Sequence, residues 1–410
     1  MSYVKKVLPN RLRILCEDIP HFHTASIGVW VRNGSRHESA RLAGISHFIE
    51  HMVFKGTEKM PAADLAAALD RIGGNANAYT TKENTCFYMT CLSRNLRTAA
   101  DLLCEMLLNP ALLDDELESE RGVIFEEISM YEDTPEDLVA EILSIDSLKG
   151  SPAGRPILGT KAALNRIDPG IMRDYMRSHY TGSNMIVSVC GNFTDSDIDY
   201  IAGLFSAFPA GKVNSSRKTL YTPAFSVKRK DIEQAHIALR WPAITAASPE
   251  RFSLRLLNTI FGDGMSSRLF QRVREKEGAC YSVCGVPAAL SDAGFYDIYT
   301  ATSCELLHRT EAAIRDEIER LLSDGVTHDE LDRARDQTEA GMLISLEGSG
   351  ARMSQLARCE LLYGTFPNVE ETLERYSAVT CEDVLCMARK VFVNDCGSAA
   401  YVGNLPADIK

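Results

Sequence analysis

The stretch His47-Phe48-Ile49-Glu50-His51 lies inside the apolar segment Ile45 to Phe54, and it decides how the rest of the chain is interpreted. The apolar residues of this segment recur on a helical rather than a two-residue period, and Gly56 follows as a stop signal, so we predict a helix. Side chains four residues apart on a helix lie on one face, about 6 Å apart at Cβ. The two histidines therefore share a face, and Glu50, three residues after His47, lies on the same side.

Two imidazoles and a carboxylate on one helix face are side chains that a zinc ion can use. A zinc ion bridging His47 and His51 would lower the pKa of its bound water towards about 7, and Glu50 would take the proton as hydroxide attacks a carbonyl. The spacing is that of the inverted zinc motif. The alternative is a solvated helix face that merely carries these residues, and five residues alone do not decide between the two.

A catalytic zinc site usually has three protein ligands and one open position, so a third side chain is required. Glu120 and Glu127 are seven residues apart on a helix predicted from Asp115 to Tyr131, which places them on one stripe two turns apart. Val123 and Ile124 lie on much the same side, so we expect this stripe to be partly buried, and a buried carboxylate needs a counter-charge such as zinc. A charge-rich helix that is simply solvated is the alternative. The same helix carries further acidic candidates: Glu116, Glu118 and Glu126.

Composition limits both the architecture and the partners. The chain has 410 residues, 45% of them apolar, and single cores rarely grow past roughly 250 to 300 residues, so we expect two domains. A formal net charge of −12 and a pI near 5.3 disfavour nucleic acid and anionic membranes as partners. Met1 to Asn10 is not followed by an apolar signal region, and no uncharged apolar run approaches the roughly 18 residues that cross a bilayer, so we predict a cytoplasmic location. The twelve cysteines form no Cys-x-x-Cys pair, which favours reduced thiols over a cysteine metal site.

The order of predicted elements is similar in the two halves of the chain. In the first half we predict strands at Arg11 to Glu17, Ser26 to Val31 and Met185 to Cys190, a strand pair or one long strand at Asn77 to Cys91, and helices at Ala62 to Arg71, Leu96 to Leu108 and Asp195 to Phe205. In the second half we predict strands at Ala235 to Arg240 and Tyr281 to Val283, and helices at Arg251 to Phe261, Ser267 to Val273 and Cys381 to Phe392. Because 69–79 and 273–281 share an order of helix, glycine and strand, we predict an α+β fold with two related domains, 1–211 and 226–410, joined by a linker at 212–225.

On these motifs the sequence resembles the pitrilysin and insulinase family of metallopeptidases, most closely its branch of mitochondrial processing peptidases and their short bacterial relatives. The family's H-x-x-E-H appears as His47 to His51, and its distal glutamate ligand, about 76 residues beyond the second histidine, falls on Glu127. Glu126 is one position away and stays an alternative. Glu120 matches a family glutamate that is needed for activity. The resemblance spans essentially the whole chain, and it implies an endopeptidase with one zinc ion per chain.

The resemblance also implies how substrate is held. Gly73 to Thr80 is similar to the edge strand that adds the substrate peptide to a sheet, with Asn77, Ala78, Tyr79 and Thr80 as substrate-binding residues. Arg274 and Tyr281 match the family's Arg and Tyr near the scissile bond, where a tyrosine hydroxyl can donate to the oxyanion and an arginine can hold substrate carbonyls. Without the resemblance, Arg274 would be interpreted as a surface charge and Tyr281 as a core residue of a strand.

The family's architecture implies two homologous domains of α/β-sandwich type, with mainly antiparallel sheets flanked by helices. Long members close four such units as a clamshell, whereas this chain has two and resembles the short members, which build the chamber from two chains. Since one chain carries both sets of site residues, the resemblance implies a homodimer, with His47 of one subunit facing Arg274 of the other, that cleaves unfolded peptides or targeting-sequence-like segments. One alternative is a non-catalytic structural subunit of the same fold, against which the intact ligand set argues. A hydrolase of non-peptide bonds is another.

Overall fold

The computed structural model describes residues 3–366, 368–393 and 397–409, and the chain divides into two compact units built from discontinuous segments. The first unit comprises Met1–Ile128, Arg155–Arg217 and Ser345–Phe366. The second comprises Ser129–Gly154, Lys218–Ile344 and Pro367–Lys410. In each unit helices flank one mainly antiparallel sheet, which confirms the predicted α+β class.

The sheet of the first unit contains six strands: β1 Val4–Val7, β2 Arg13–Asp18, β3 Thr24–Val31, β4 Asn75–Thr80, β5 Thr85–Leu92 and β6 Met185–Gly191. Their order across the sheet is β1-β2-β6-β3-β5-β4, so β4 is an edge strand. Only β2 and β6 pair in parallel. The sheet of the second unit contains β7 Phe225–Arg229, β8 Gln234–Ala243, β9 Ser282–Ala289, β10 Gly294–Ser303 and β11 Ser398–Gly403. Its order is β7-β11-β8-β10-β9, and only β7 and β11 are parallel.

Fourteen α-helices complete the described fold. Those of the first part of the chain are α1 Ile45–Met52, α2 Ala62–Arg71, α3 Leu96–Leu108, α4 Asp114–Asp133, α5 Pro135–Ser147, α6 Lys161–Leu164, α7 Pro169–His179 and α8 Asp195–Phe205. Those that follow are α9 Arg251–Phe261, α10 Leu307–Asp324, α11 His328–Ser345, α12 Ser349–Tyr363, α13 Val369–Ser377 and α14 Cys381–Val391. A π-helix covers Phe270–Lys276. No helix within the described ranges is both long and apolar enough to cross a membrane.

Each sheet is covered on one face by a helix from the opposite half of the sequence. Helix α12 packs on β3 and β6 of the first sheet, where Met353 and Leu356 join a buried cluster with Trp30. Helix α5 packs on β8 and β11 of the second sheet, where Leu138 and Val139 are buried. These contacts explain why neither unit is a continuous segment of the chain.

Most predicted elements of the first half match the structure, and the segment 77–91 is a strand pair, β4 and β5, rather than one strand. Two predictions in the second half are wrong in position. The helix predicted to end at Val273 continues to Lys276 as a π-helix, and the strand predicted at Tyr281 to Val283 is the longer β9, which starts after Tyr281. Residues 212–224 contain neither helix nor strand. The predicted domain boundaries, at residue 211 and residue 226, stay a proposal.

Candidate metal centre

The start of α1 is held in place by a buried carboxylate. Glu38 is 4% exposed, and it accepts hydrogen bonds from the backbone N–H groups of Gly44 at 2.7 Å and Ser46 at 2.9 Å. The carboxyl oxygens thereby provide acceptors for backbone N–H groups at the start of the helix, which have no partner within the helix. Gly44 has a φ of +95°, and a Cβ at this position would lie 2.5 Å from the carbonyl oxygen of Leu158. These hydrogen bonds and the close approach of Gly44 to Leu158 fix the position at which α1 begins.

The amphipathic pattern of α1 determines which side chains reach the site. Ile45, Phe48, Ile49 and Met52 are fully buried in the main core of the first unit. The two histidines and Glu50 lie on the remaining, partly exposed side of the helix. Burial of the apolar face thus orients the three polar side chains towards α4 and β4.

Three side chains of the motif and of α4 converge on one point. The Nε2 atom of His47 lies 3.7 Å from Oε2 of Glu127, and the Nε2 atom of His51 lies 3.7 Å from Oε1 of the same glutamate. The candidate ligand atoms of His47, His51 and Glu127 all lie within 4.8 Å of one another. The neighbouring Glu126 is exposed and does not belong to this group.

The donor set fits a zinc ion. Nitrogen and oxygen ligands bind zinc at about 2.0 to 2.2 Å in a tetrahedron, which places neighbouring ligand atoms about 3.4 Å apart. The two distances of 3.7 Å from Glu127 to the histidines are close to this value. Among the described residues the buried Oε2 atom of Glu127 has no hydrogen-bond partner, and a bound cation would satisfy it. Burial, and next the neighbouring His51, lower the pKa of His47 to about 4. Its imidazole is therefore neutral near pH 7, which is the form that binds metal.

A second carboxylate of α4, that of Glu120, contacts the ring nitrogen of His51 that does not face Glu127. Nδ1 of His51 lies 2.9 Å from Oε2 of Glu120, whose Oε1 lies 2.6 Å from Nζ of Lys55. The carboxylate thereby fixes the tautomer of His51, with the proton on Nδ1 and the lone pair on Nε2 facing Glu127. Burial acts to raise the pKa of Glu120, but hydrogen bonds from Lys55 and His51 outweigh it and lower the pKa.

The expectation that the stripe of Glu120 and Glu127 is partly buried is met by Glu120, which is 5% exposed, and by the fully buried Ile124. The part of the argument that rested on Val123 is wrong, because this side chain is 43% exposed. Val123 lies 100° around the helix from Ile124, on the solvent side of the stripe.

Glu50 is held by the edge strand. The hydroxyl of Thr80 donates a hydrogen bond of 2.5 Å to Oε2 of Glu50. Burial raises the pKa of Glu50, and the hydrogen bond from Thr80 opposes this shift. A carboxylate with a raised pKa is better suited to accept and then release a proton near neutral pH.

Strand β4 presents a free edge next to this carboxylate. Within it, Asn77 and Tyr79 are exposed whereas Ala78 and Thr80 are partly buried, and in the described part of the chain the strand pairs with β5 alone. The turn into β4 requires glycine: Gly73 has a φ of +70°, and a Cβ on Gly74 would overlap the carbonyl oxygen of Thr90.

Arg274 and Tyr281 belong to the second unit, where they lie side by side. The guanidinium of Arg274 stacks between two rings, 4.6 Å from the centroid of Phe270 and 5.0 Å from that of Tyr281. Tyr281 is 78% exposed, so the interpretation of this tyrosine as a core residue is wrong. Both rings lie within cation–π distance of the guanidinium, whose Nε also lies 3.8 Å from Oε1 of Glu275.

Sequence reasoning missed three residues of these arrangements, Lys55, Phe270 and Glu38, and the hydrogen bond of Thr80 to Glu50. Lys55 follows His51 by four positions, a helical spacing that could have drawn attention to it. Phe270 precedes Arg274 by the same spacing. Glu38 and the hydroxyl contact of Thr80 carry no local signal, because each acts on α1 through a contact made only in the folded chain.

The described site has two histidines and a glutamate set around one point, with a second glutamate, Glu50, beside them, and zinc-dependent hydrolases use a donor set of this kind. Comparison with known proteins narrows the class. Residues 13–161 match the family described as Insulinase (Peptidase family M16), and residues 166–338 match the Peptidase M16 inactive domain. The chain belongs to the M16 peptidase family, and the resemblance inferred from its motifs is confirmed.

Bacterial relatives match over nearly their whole length. The uncharacterized zinc protease YmxG of Bacillus subtilis is 36% identical, with 97% of this chain and 98% of the relative covered. An uncharacterized zinc protease of Streptomyces coelicolor is 34% identical, with 94% of this chain and 86% of the relative covered. Among solved structures, a peptidase M16 inactive domain from Pseudomonas fluorescens has a TM-score of 0.93 at 18% identity and covers 99% of both chains. A protease from Helicobacter pylori has a TM-score of 0.90 at 19% identity and covers 98% of this chain and 99% of its own. These two likenesses concern the fold.

Proposed function

We propose that this chain is a zinc-dependent endopeptidase that hydrolyses unfolded peptides or targeting-sequence-like segments, with one zinc ion held by His47, His51 and Glu127. The observation that carries the proposal is the convergence of these three ligand atoms within 4.8 Å, next to a carboxylate that does not take part in the group. The family and the name zinc protease given to its relatives support the same reaction class.

The chain's own residues have separate tasks in this reaction. When bound, a zinc ion supplies a Lewis acid that polarises a carbonyl and makes a water more acidic. Glu50 accepts the proton from the attacking water and returns it to the leaving amine. Glu120 holds the ring of His51 and thereby keeps the ligand geometry fixed.

Peptides are the proposed substrates because the free edge of β4 adjoins Glu50. A peptide that pairs with this edge through main-chain hydrogen bonds extends the sheet without requiring a particular sequence. The hydrogen bond between Thr80 and Glu50 links the edge to the base, so a paired peptide would run beside the catalytic carboxylate. Asn77, Ala78, Tyr79 and Thr80 are the proposed substrate-binding residues.

Arg274 and Tyr281 are proposed to act on the substrate near the scissile bond, the arginine by binding carbonyl oxygens and the tyrosine by donating to the oxyanion. We further propose a cytoplasmic homodimer that closes a chamber around the peptide, in which the site of one subunit is completed by Arg274 of the other. A fully active monomer in sedimentation would contradict this arrangement.

The test is cleavage of a mixed peptide library by the purified chain, with and without a chelator, together with a metal analysis. We expect zinc-dependent cuts that disappear on chelation and return when zinc is added back. Glu50→Gln keeps the ligands and removes the base, so we expect it to retain zinc and to lose activity by several orders of magnitude. A wild-type chain that holds no zinc would favour the structural subunit, and a chain that holds zinc but cleaves no peptide would favour a non-peptide substrate.

A further inference from the structure

A cavity of about 240 Å³ lies in the first unit, away from the metal ligands. Its walls come from the end of α3, the segment that follows it, helix α7 and the segment after α8. Its apolar lining includes the buried side chains of Leu107, Leu112, Met176 and Phe208. An apolar cavity of about 150 Å³ holds one benzene molecule, so this volume suits a ligand or side chain of about eight to ten non-hydrogen atoms.

The walls of the cavity are tied by backbone hydrogen bonds, so the cavity is preformed. Thr57 and Pro110 form an isolated β-bridge, and the N–H of Glu58 donates to the carbonyl of Asn109 at 2.9 Å. Leu112, whose side chain is 1% exposed, has a φ of +48°. A branched residue in this left-handed region is strained, and such strain persists only where the surroundings enforce it.

Arg173, an exposed residue at the rim of this cavity, is hydrogen-bonded to the cavity wall and has no acidic partner among the described residues. Nη2 of Arg173 donates to the carbonyl oxygens of Ala111 and Leu112, both at 3.2 Å. Within the described ranges no carboxylate lies within ion-pair distance of this guanidinium, and its Nε and Nη1 donors have no protein partner. A guanidinium that is anchored through one nitrogen and not neutralised offers its remaining donors to an anion.

Two further charged side chains, Arg177 and Glu58, line the cavity. Arg177 follows Arg173 by four positions on α7, and its ion pair with Asp174 at 3.4 Å is exposed and weak. Glu58 also lines the cavity, which leaves the rim with an excess of one positive charge on a chain of net charge −12.

We propose that this cavity binds a carboxylate attached to a compact apolar group, with the apolar group inside the cavity and the carboxylate on Arg173. Two sources share this chemistry: a small free acid, and the C-terminal residue of a peptide with an apolar side chain. The site does not depend on the proposed peptidase activity, since neither its residues nor its ligand involve the metal group.

The test is calorimetric titration of the full chain with three probes: octanoate as the free acid, N-acetylphenylalanine as the peptide C-terminus, and N-acetylphenylalaninamide as the uncharged match. All titrations contain a chelator, so that a carboxylate cannot register by binding zinc. We expect at least one acid to bind with a Kd of about 1 mM or tighter, and the amide to bind at least about tenfold more weakly, because it lacks the charge-assisted hydrogen bond. The stronger of the two acids identifies the source.

Substitutions in and near the cavity test whether the acid probes bind there. Arg173→Gln should weaken the acid probes at least about tenfold, whereas Arg166→Gln, the same change at an exposed arginine outside the cavity, should leave them unchanged. Glu58→Gln should tighten them, because it removes the one negative charge of the lining. Leu108→Trp fills the cavity from a partly exposed position and should abolish binding even if Arg173→Gln fails to fold. Equal binding of amide and acid, no saturation by either acid, or full affinity in Arg173→Gln and Leu108→Trp would overturn the proposal.

Discussion

Replacing the buried carboxylate at the start of α1 gives a prediction whose size follows from the structure. Burial raises the pKa of Glu38 from 4.5 to about 7, although hydrogen bonds from Ser46 and Gly44 oppose the shift. Between these two pH values the folded chain binds a proton that the unfolded chain has released. The stability that this proton contributes is complete below pH 4.5 and is lost as the pH rises through 7. Each unit of difference between the pKa values of the folded and unfolded chain corresponds to 1.36 kcal/mol, so the stability lost is roughly 3 kcal/mol.

Glu38→Gln is uncharged throughout and removes this dependence. We therefore expect the unfolding free energy of the wild type to fall by about 2 to 3 kcal/mol relative to the variant between pH 5 and pH 8. Urea denaturation followed by the fluorescence of Trp30 measures this in the first unit, if Trp241, the other of the two tryptophans, is replaced by phenylalanine in every variant. Glu126→Gln, at an exposed acid, is the control and should keep the wild-type slope. Parallel pH slopes for wild type and Glu38→Gln would refute the reasoning.

Three further changes test contacts around the site. Glu120→Gln should weaken zinc binding by about 10 to 100-fold, because it removes the carboxylate that orients His51; competition with a chromophoric chelator measures this, and an unchanged affinity would contradict it. Thr80→Val should lower kcat with little change in zinc content, because it frees Glu50 from its hydrogen bond, while Thr80→Ser should restore kcat; equal kcat values for Val and Ser would exclude a role for the hydroxyl. Phe270→Leu should raise KM about 3 to 30-fold, since it removes one of the two rings stacked on a guanidinium, while Phe270→Tyr should keep it near wild type; matching KM values in a peptide assay would count against this.

The predictable part of the site is the part encoded by local spacing. His47, Glu50 and His51 lie within one and a half helical turns, so helix geometry alone places them on one face. The heptad spacing of Glu120 and Glu127 identified their common stripe on α4, but helix geometry alone could not say which glutamate meets the histidines and which supports one of them. Only the family's spacing pointed to Glu127 as the ligand. That distinction arises from packing α4 against α1, which no local pattern encodes.

The parts that sequence reasoning missed depend on contacts made across the fold. Helix α12 has an ordinary helical pattern, and nothing in that pattern tells which sheet it covers. The π-helix at Phe270–Lys276 is not distinguishable from an α-helix by apolar period, so its C-terminal extension was missed. Glu38 is a lone acid in a loop until the folded chain buries it beneath the first turn of α1.

The central claim is that a single metal ion is held by two imidazoles and one particular carboxylate. It is tested most directly by zinc content and affinity of the purified chain beside Glu127→Gln and its neighbour Glu126→Gln. We expect one zinc ion per chain in the wild type and in Glu126→Gln, and a loss of tight binding in Glu127→Gln. Stoichiometric zinc that survives in Glu127→Gln, or is lost in Glu126→Gln, would contradict the account.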